Sequence, residues 1–136
     1  PCGIPESFDF LSIDIDGNDY WVWKAITAYR PRVVLIEYNA TVPPDESKTI
    51  PYDPAFRWDG RTSFFGASLL ALEALGREKG YVLVGCDSSA TNAFFVERSL
   101  VDGRFVLGEV ASLYRLPTAF DGRGHPRHAE RHMVTP

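Results

Sequence analysis

The chain has 136 residues, 45% of them hydrophobic and 24% charged, with a net charge of −4; that is enough for one globular domain and excludes both a two-domain reading and a disordered polymer. No run of ~18 apolar residues occurs, so no membrane-spanning helix is expected, and an acidic body argues against a nucleic-acid backbone as the main partner, because counterion release needs clustered Lys and Arg. Two cysteines, Cys2 and Cys86, are too few for a disulfide scaffold; with no basic-then-apolar signal segment at the start, the cytoplasm is the expected compartment.

Residues 8–15 (FDFLSIDI) form an apolar run whose length and β-branched content predict a buried strand. Gly17 stops it, and Asn18 or Asp19 is placed to cap a helix. Trp21, Val22, Ala25, Ile26 and Tyr29 then fall on one helical face, and Pro31 ends the helix. Trp21 and Trp23 point to opposite sides of it, one toward the core and the other toward a contact surface. Residues 33–38 (VVLIEY) have almost no polar break, which predicts an interior parallel strand covered on both faces. Strand, helix and strand in about thirty residues make a βαβ unit.

Residues 40–62 hold Pro43, Pro44, Pro51 and Pro54 and have no period. A loop of roughly twenty residues in a compact domain is commonly a lid or binding loop. Trp58, beside Phe56 and Arg57, is a candidate to cover a substrate; the equal alternative is that the loop packs down on its own aromatics. Helix resumes near Ser63 or Gly66, with Leu69, Leu70, Leu72 and Leu75 as its stripe and Gly80 as its stop. Residues 81–86 and 92–96 read as two strands joined by a turn too short for anything but an antiparallel pair. Cys86, ending the first of them, reads as a small buried hydrophobe rather than a nucleophile. Past Leu100 only residues 105–114 show periodicity. The basic stretch from Arg123 to His132 lies among Gly122, Gly124, Pro126 and Pro136, which predicts a mobile, solvated tail. His125 and His128 have a metal-compatible spacing, but in such a tail imidazoles are more often solvated.

The expected fold is therefore an α/β sheet of order β-α-β-loop-α-β-β, closed by an antiparallel hairpin. In open α/β sheets, ligands collect at the carboxyl ends of parallel strands. Here those ends carry Asp14, Asp16 and Asp19 on the first strand and Glu37, Tyr38 and Asn39 on the second. If the strands are neighbours, Asp14, Asp16, Glu37 and Asn39 converge, and clustered carboxylates raise each other's pKa unless a cation or donor intervenes. Hard oxygen ligands of this kind suit Mg²⁺, Ca²⁺ or Mn²⁺. The alternative is structural: Asp16 and Asp19 cap the helix while Glu37 pairs with an Arg.

Two resemblances bear on these residues. Asp14-Ile15-Asp16-Gly17 after an apolar run resembles the first motif of haloacid-dehalogenase-type phosphatases, which implies Asp14 as nucleophile and Asp16 as acid/base; Asn18 departs from that motif, and Lys79 is only a loose match for the lysine it requires. The wider pattern is similar to the FkbM-type methyltransferase domain. It runs through residues 11–21 (LSIDIDGNDYW), Pro31-Arg32 and the strand ending at Glu37, Gly66-Ala67-Ser68-Leu69, Lys79-Gly80-Tyr81, and Asn92-Ala93-Phe94-Phe95-Val96.

This second resemblance covers about residues 5–100 and implies a Rossmann-like, S-adenosylmethionine-dependent methyltransferase whose final antiparallel strands are the hairpin. Residues 101–136 are then an extension, flexible in part. No Gly-rich loop follows the first strand, so the implied unit is the C-terminal, acceptor-side half of such a domain, lacking the cofactor-binding half. The implied reaction is O-methyl transfer to a small molecule or sugar, with Asp14, Asp16 and Glu37 as catalytic residues and Tyr38, Asn39 and Trp58 against the acceptor. By analogy with metal-using O-methyltransferases, Asp16, Glu37 and Asn39 would hold Mg²⁺. A half-domain would also leave a sheet edge open to self-association, and a non-catalytic assembly fragment is the remaining alternative.

Overall fold

The computed structural model describes residues 3–117 and 124–136. Four strands form one mixed sheet: β1 (Ser7–Ile13), β2 (Arg30–Glu37), β3 (Tyr81–Cys86) and β4 (Asn92–Glu97). Their spatial order is β1-β2-β4-β3. β1 and β2 pair in parallel, while β4 runs antiparallel to both β2 and β3. The hairpin thus folds its second strand into the space beside β2 and leaves β3 at the far edge.

β2 is interior, as its unbroken VVLI run requires; its neighbours are one parallel and one antiparallel strand, so the expectation of a wholly parallel surround is corrected. Val34 and Ile36 are fully buried, where β-branched side chains pack well on a pleated surface. Pro31 does not end the first helix. It lies inside β2, and its carbonyl accepts a hydrogen bond from the Tyr81 hydroxyl (2.8 Å). β1 is shorter than its apolar run and largely exposed, with Phe10 at 52%. Among the described residues it has one neighbour, β2, so its apolar side chains lack the second cover that the sequence pattern led one to expect.

Helix α1 (Asp19–Ala25) is two turns long. Tyr20 and Trp23 face the core while Val22 and Ala25 are exposed, so the predicted apolar face is displaced. So short a helix is oriented by its packing rather than by its own periodicity. Trp23 is the core tryptophan, edge-on to Tyr81 and 4.8 Å from Phe95. Trp21 is half-buried and donates from Nε1 to the Ile50 carbonyl (2.9 Å).

Helix α2 (Leu69–Glu78) starts at Ser68, whose Oγ accepts from the Ala71 amide (3.2 Å). Leu69, Leu72 and Leu75 are buried and Leu70 is only partly so. Gly76 allows the close approach to the sheet: a Cβ there would stand 2.8 Å from the Phe95 ring and 3.0 Å from Trp23. Gly80, at φ +87°, turns the chain into β3. Beyond β4 come a single 3-10 turn and the one-turn helix α3 (Val110–Leu113).

The long loop carries a second small core of Ile50, Phe56 and Phe64, flanked by Trp58 and Met133. The tail from Gly124 onward is not free of the body. Thr49 and Val134 exchange backbone hydrogen bonds of 2.9 and 2.8 Å, and the Ser63 amide donates to the Pro126 carbonyl. The predicted solvated tail is therefore corrected for residues 124–136; Arg123 and Cys2 lie outside the described residues.

Candidate functional site

β1 ends at Ile13, so Asp14 and Asp16 are not alternating strand residues as expected. A turn brings them together instead: Asp16 adopts φ +55°, an uncommon conformation that Asp tolerates better than most residues. Asp19, fully buried, reaches back and accepts hydrogen bonds from the Ile15 amide (3.0 Å) and the Gly17 amide (2.8 Å). It shapes the turn rather than capping α1, and burial pushes its carboxyl above the ordinary range despite those two donors. Gly17 lets the turn sit against the loop, since a Cβ there would be 2.5 Å from the Phe56 ring.

Parallel pairing sets Ile13 beside Ile36, so the residues following each strand meet. Asp14, Asp16 and Glu37 each offer a carboxylate oxygen, and these three atoms all lie within 4.8 Å of one another. Asp14 and Asp16 are exposed; Glu37 is 8% exposed. Glu37 Oε2 is buried and has no hydrogen-bond partner. Burial, then the charges of Asp19, Asp14 and Asp16, push the Glu37 carboxyl up to about 8. The Glu37 carboxylate takes a backbone hydrogen bond from Asp16, but a buried carboxylate with one oxygen unpartnered, set beside two more carboxylates, is a costly arrangement unless a proton or a cation completes it. The donor set therefore fits a hard divalent cation.

The other predicted residues are placed differently. Asn39 is fully buried, and its amide is committed to the loop: Nδ2 donates to the carbonyls of Ser63 (2.8 Å) and Phe65 (2.9 Å), while Oδ1 accepts from the amide and hydroxyl of Thr41. With both hydrogens and the oxygen engaged it is not a free metal ligand, and Asp14 stands where it was expected. Tyr38 is 1% exposed, with its hydroxyl on the Arg115 carbonyl (3.3 Å) and its ring edge-on to Tyr114. It is a core residue, and burial pushes its phenol up.

Trp58 donates from Nε1 to the Thr62 carbonyl (2.7 Å) and packs on Phe65 and His125. The loop thus packs on its own aromatics, and with Ile15, Asp16, Phe56 and Arg57 Trp58 also lines an open cavity of about 490 Å³ beside the acidic turn. Cys86 is half-buried, and burial pushes its thiol up to about 11, away from the range of a reactive thiolate. What the sequence reading missed is Asp19, whose turn-building role depends on a left-handed residue three places earlier that no spacing rule shows.

Comparison with family profiles, with curated proteins and with solved structures finds no match.

Proposed function

We propose that this chain is the acceptor-side half of an S-adenosylmethionine-dependent methyltransferase of the Rossmann-like class, transferring a methyl group to a hydroxyl of a small molecule or sugar. The observation that carries the reading is the convergence of Asp14, Asp16 and Glu37 at the carboxyl ends of a parallel strand pair, in a sheet closed by an antiparallel hairpin. Such strand ends are where α/β sheets bind and act on ligands.

In this reading Glu37 is the general base. A carboxyl titrating near 8 is close to the operating pH, where proton transfer is most effective. The Glu37 carboxylate would take the proton of an acceptor hydroxyl held beside it, and S-adenosylmethionine, where bound, would supply the electrophilic methyl group for in-line attack by that oxygen. Asp14 and Asp16 orient the acceptor at the open side, with Trp58 and Phe56 forming the wall next to Asp16. Where Mg²⁺ is bound, Asp14, Asp16 and Glu37 would hold it, and it would lower the pKa of the acceptor hydroxyl. No Gly-rich loop follows β1, so in this reading the cofactor would be held by the other half of such a domain.

The phosphatase reading loses its lysine. Lys79 Nζ donates to the Ile26 carbonyl (2.7 Å), and the Lys79 carbonyl accepts from Arg30 at the start of β2. Glu37 ends that eight-residue strand, roughly 20 Å further along.

The test compares two chemistries. Beryllium fluoride should form no adduct on Asp14. In the protein together with its cofactor-binding segment, methyl transfer to hydroxylated acceptors should fall with Asp16→Ala and with Glu37→Ala, and the double variant should cost little more than either. An adduct on Asp14, or phosphatase turnover that survives Glu37→Ala, overturns the methyltransferase reading.

A further inference from the structure

The basic tail, once folded back on the long loop, lines an open cavity of about 530 Å³. Among the described residues its wall includes Lys48, Arg127, Arg131, His128 and Ser63, with Glu46 as the one carboxylate. In a protein of net charge −4, three permanent cations against one anion mark a local reversal of sign. Among the described residues the ion pairs are Arg32–Asp9 and Arg77–Glu73; neither Lys48, Arg127 nor Arg131 takes part in one.

Two of these groups are held in place by contacts that leave their charge or donor unspent. The Arg131 guanidinium lies 5.7 Å over the Phe64 ring, a contact that fixes the side chain without neutralising it. His128 Nδ1 accepts from the Glu130 amide (3.1 Å) and the Arg131 amide (3.0 Å), which leaves Nε2 to carry the proton and donate. Cations that line one cavity repel one another until an anion arrives; until then Lys48 Nζ donates to the Thr135 hydroxyl (3.4 Å).

We infer that this cavity binds the phosphate group of a phosphorylated small molecule, with Lys48, Arg127 and Arg131 supplying charge and Phe64 supplying an apolar wall for the organic part. A phosphate monoester carries nearly two negative charges and three acceptor oxygens, which suits several convergent donors better than a single carboxylate does. The volume exceeds what a bare phosphate fills. The site lies across the Phe56–Phe64 pair from the acidic turn, and its assignment does not depend on methyl transfer.

The test is calorimetric titration of the full chain with phenyl phosphate and with inorganic phosphate at low ionic strength. Phenyl phosphate should bind saturably and more tightly than inorganic phosphate. Arg127→Ala combined with Arg131→Ala should weaken it about tenfold or more, with an unchanged melting temperature because both side chains are exposed. Arg104→Ala, at an exposed position outside the cavity wall, should leave binding unaltered. Absence of saturable binding, or an equal loss with Arg104→Ala, overturns the site. Equal affinity for the two probes overturns the ester assignment.

Discussion

Asp16 is held at φ +55° by the turn that delivers its carboxylate to the cluster, a conformation that costs an L-residue free energy and costs glycine almost none. Asp16→Gly should therefore stabilise the protein by ~0.5–1 kcal/mol in denaturant titrations while weakening Mn²⁺ binding by calorimetry; a loss of stability would mean that the carboxylate, not the backbone, organises the turn. Glu37 yields a pH prediction. Its carboxyl titrates at about 8 in the folded protein against an ordinary 4.5, so the folded state holds its proton more tightly than the unfolded one. The resulting stability is complete below about pH 4.5 and is lost as pH rises to about 8. In chelator-treated protein, the unfolding free energy from denaturant titrations should fall across that window by an amount on the order of a few kcal/mol. Glu37→Gln should flatten most of the slope. Both acidic strand ends were legible in the sequence, because a carboxylate closing an apolar run has nowhere to go but the strand end. Asn39 was misread, since nothing in its neighbours announces that a buried amide will be used up by the carbonyls of residues 63 and 65.

At the scale of elements, α2 was the easiest to place. Its leucine spacing and Gly80 agree with one another, and local signals that agree are the ones that survive folding; the start, expected near Ser63 or Gly66, falls instead at Leu69 behind the Ser68 cap. Ser68 has a second duty that the sequence does not show: its Oγ also accepts from the Lys48 amide (3.0 Å), tying the long loop to the helix start. Ser68→Ala should cost ~1–2 kcal/mol by chemical denaturation. Amide exchange at Lys48 should rise along with that at Ala71; if only Ala71 responds, the loop does not depend on the cap. Helix α1 begins where expected but ends at Ala25, well before Pro31, and it is turned differently. With two turns it has too little period of its own, and the ring contacts of Trp23 with Tyr81 and Phe95 decide its rotation. β1 shows the converse: an apolar run was taken for a covered strand, when cover depends on a neighbour that local sequence cannot reveal.

Across the whole molecule, that strand is the unbalanced element. Its outer edge offers unpaired backbone groups among the described residues, and Phe10 and Ile15 are each 52% exposed. Open edges of this kind recruit further strands, and a second copy is the partner always present. Sedimentation velocity should show concentration-dependent association, and Phe10→Lys should shift it toward monomer. A compact monomer at every concentration would remove both the half-domain argument and the assembly-fragment alternative at once.

The bridge between Thr49 and Val134 also has a bearing on how the chain reaches this state. It joins residues separated by more than half of the whole sequence, whereas β1, α1 and β2 assemble from close neighbours. Distant contacts form after the loop between them has been closed, so the tail should dock late, onto a sheet already in place. In stopped-flow experiments Val134→Gly should speed unfolding and leave the refolding rate nearly unchanged, the pattern of an interaction absent from the transition state. The tail would then act as a latch on the lifetime of the native state, with little say in the route to it.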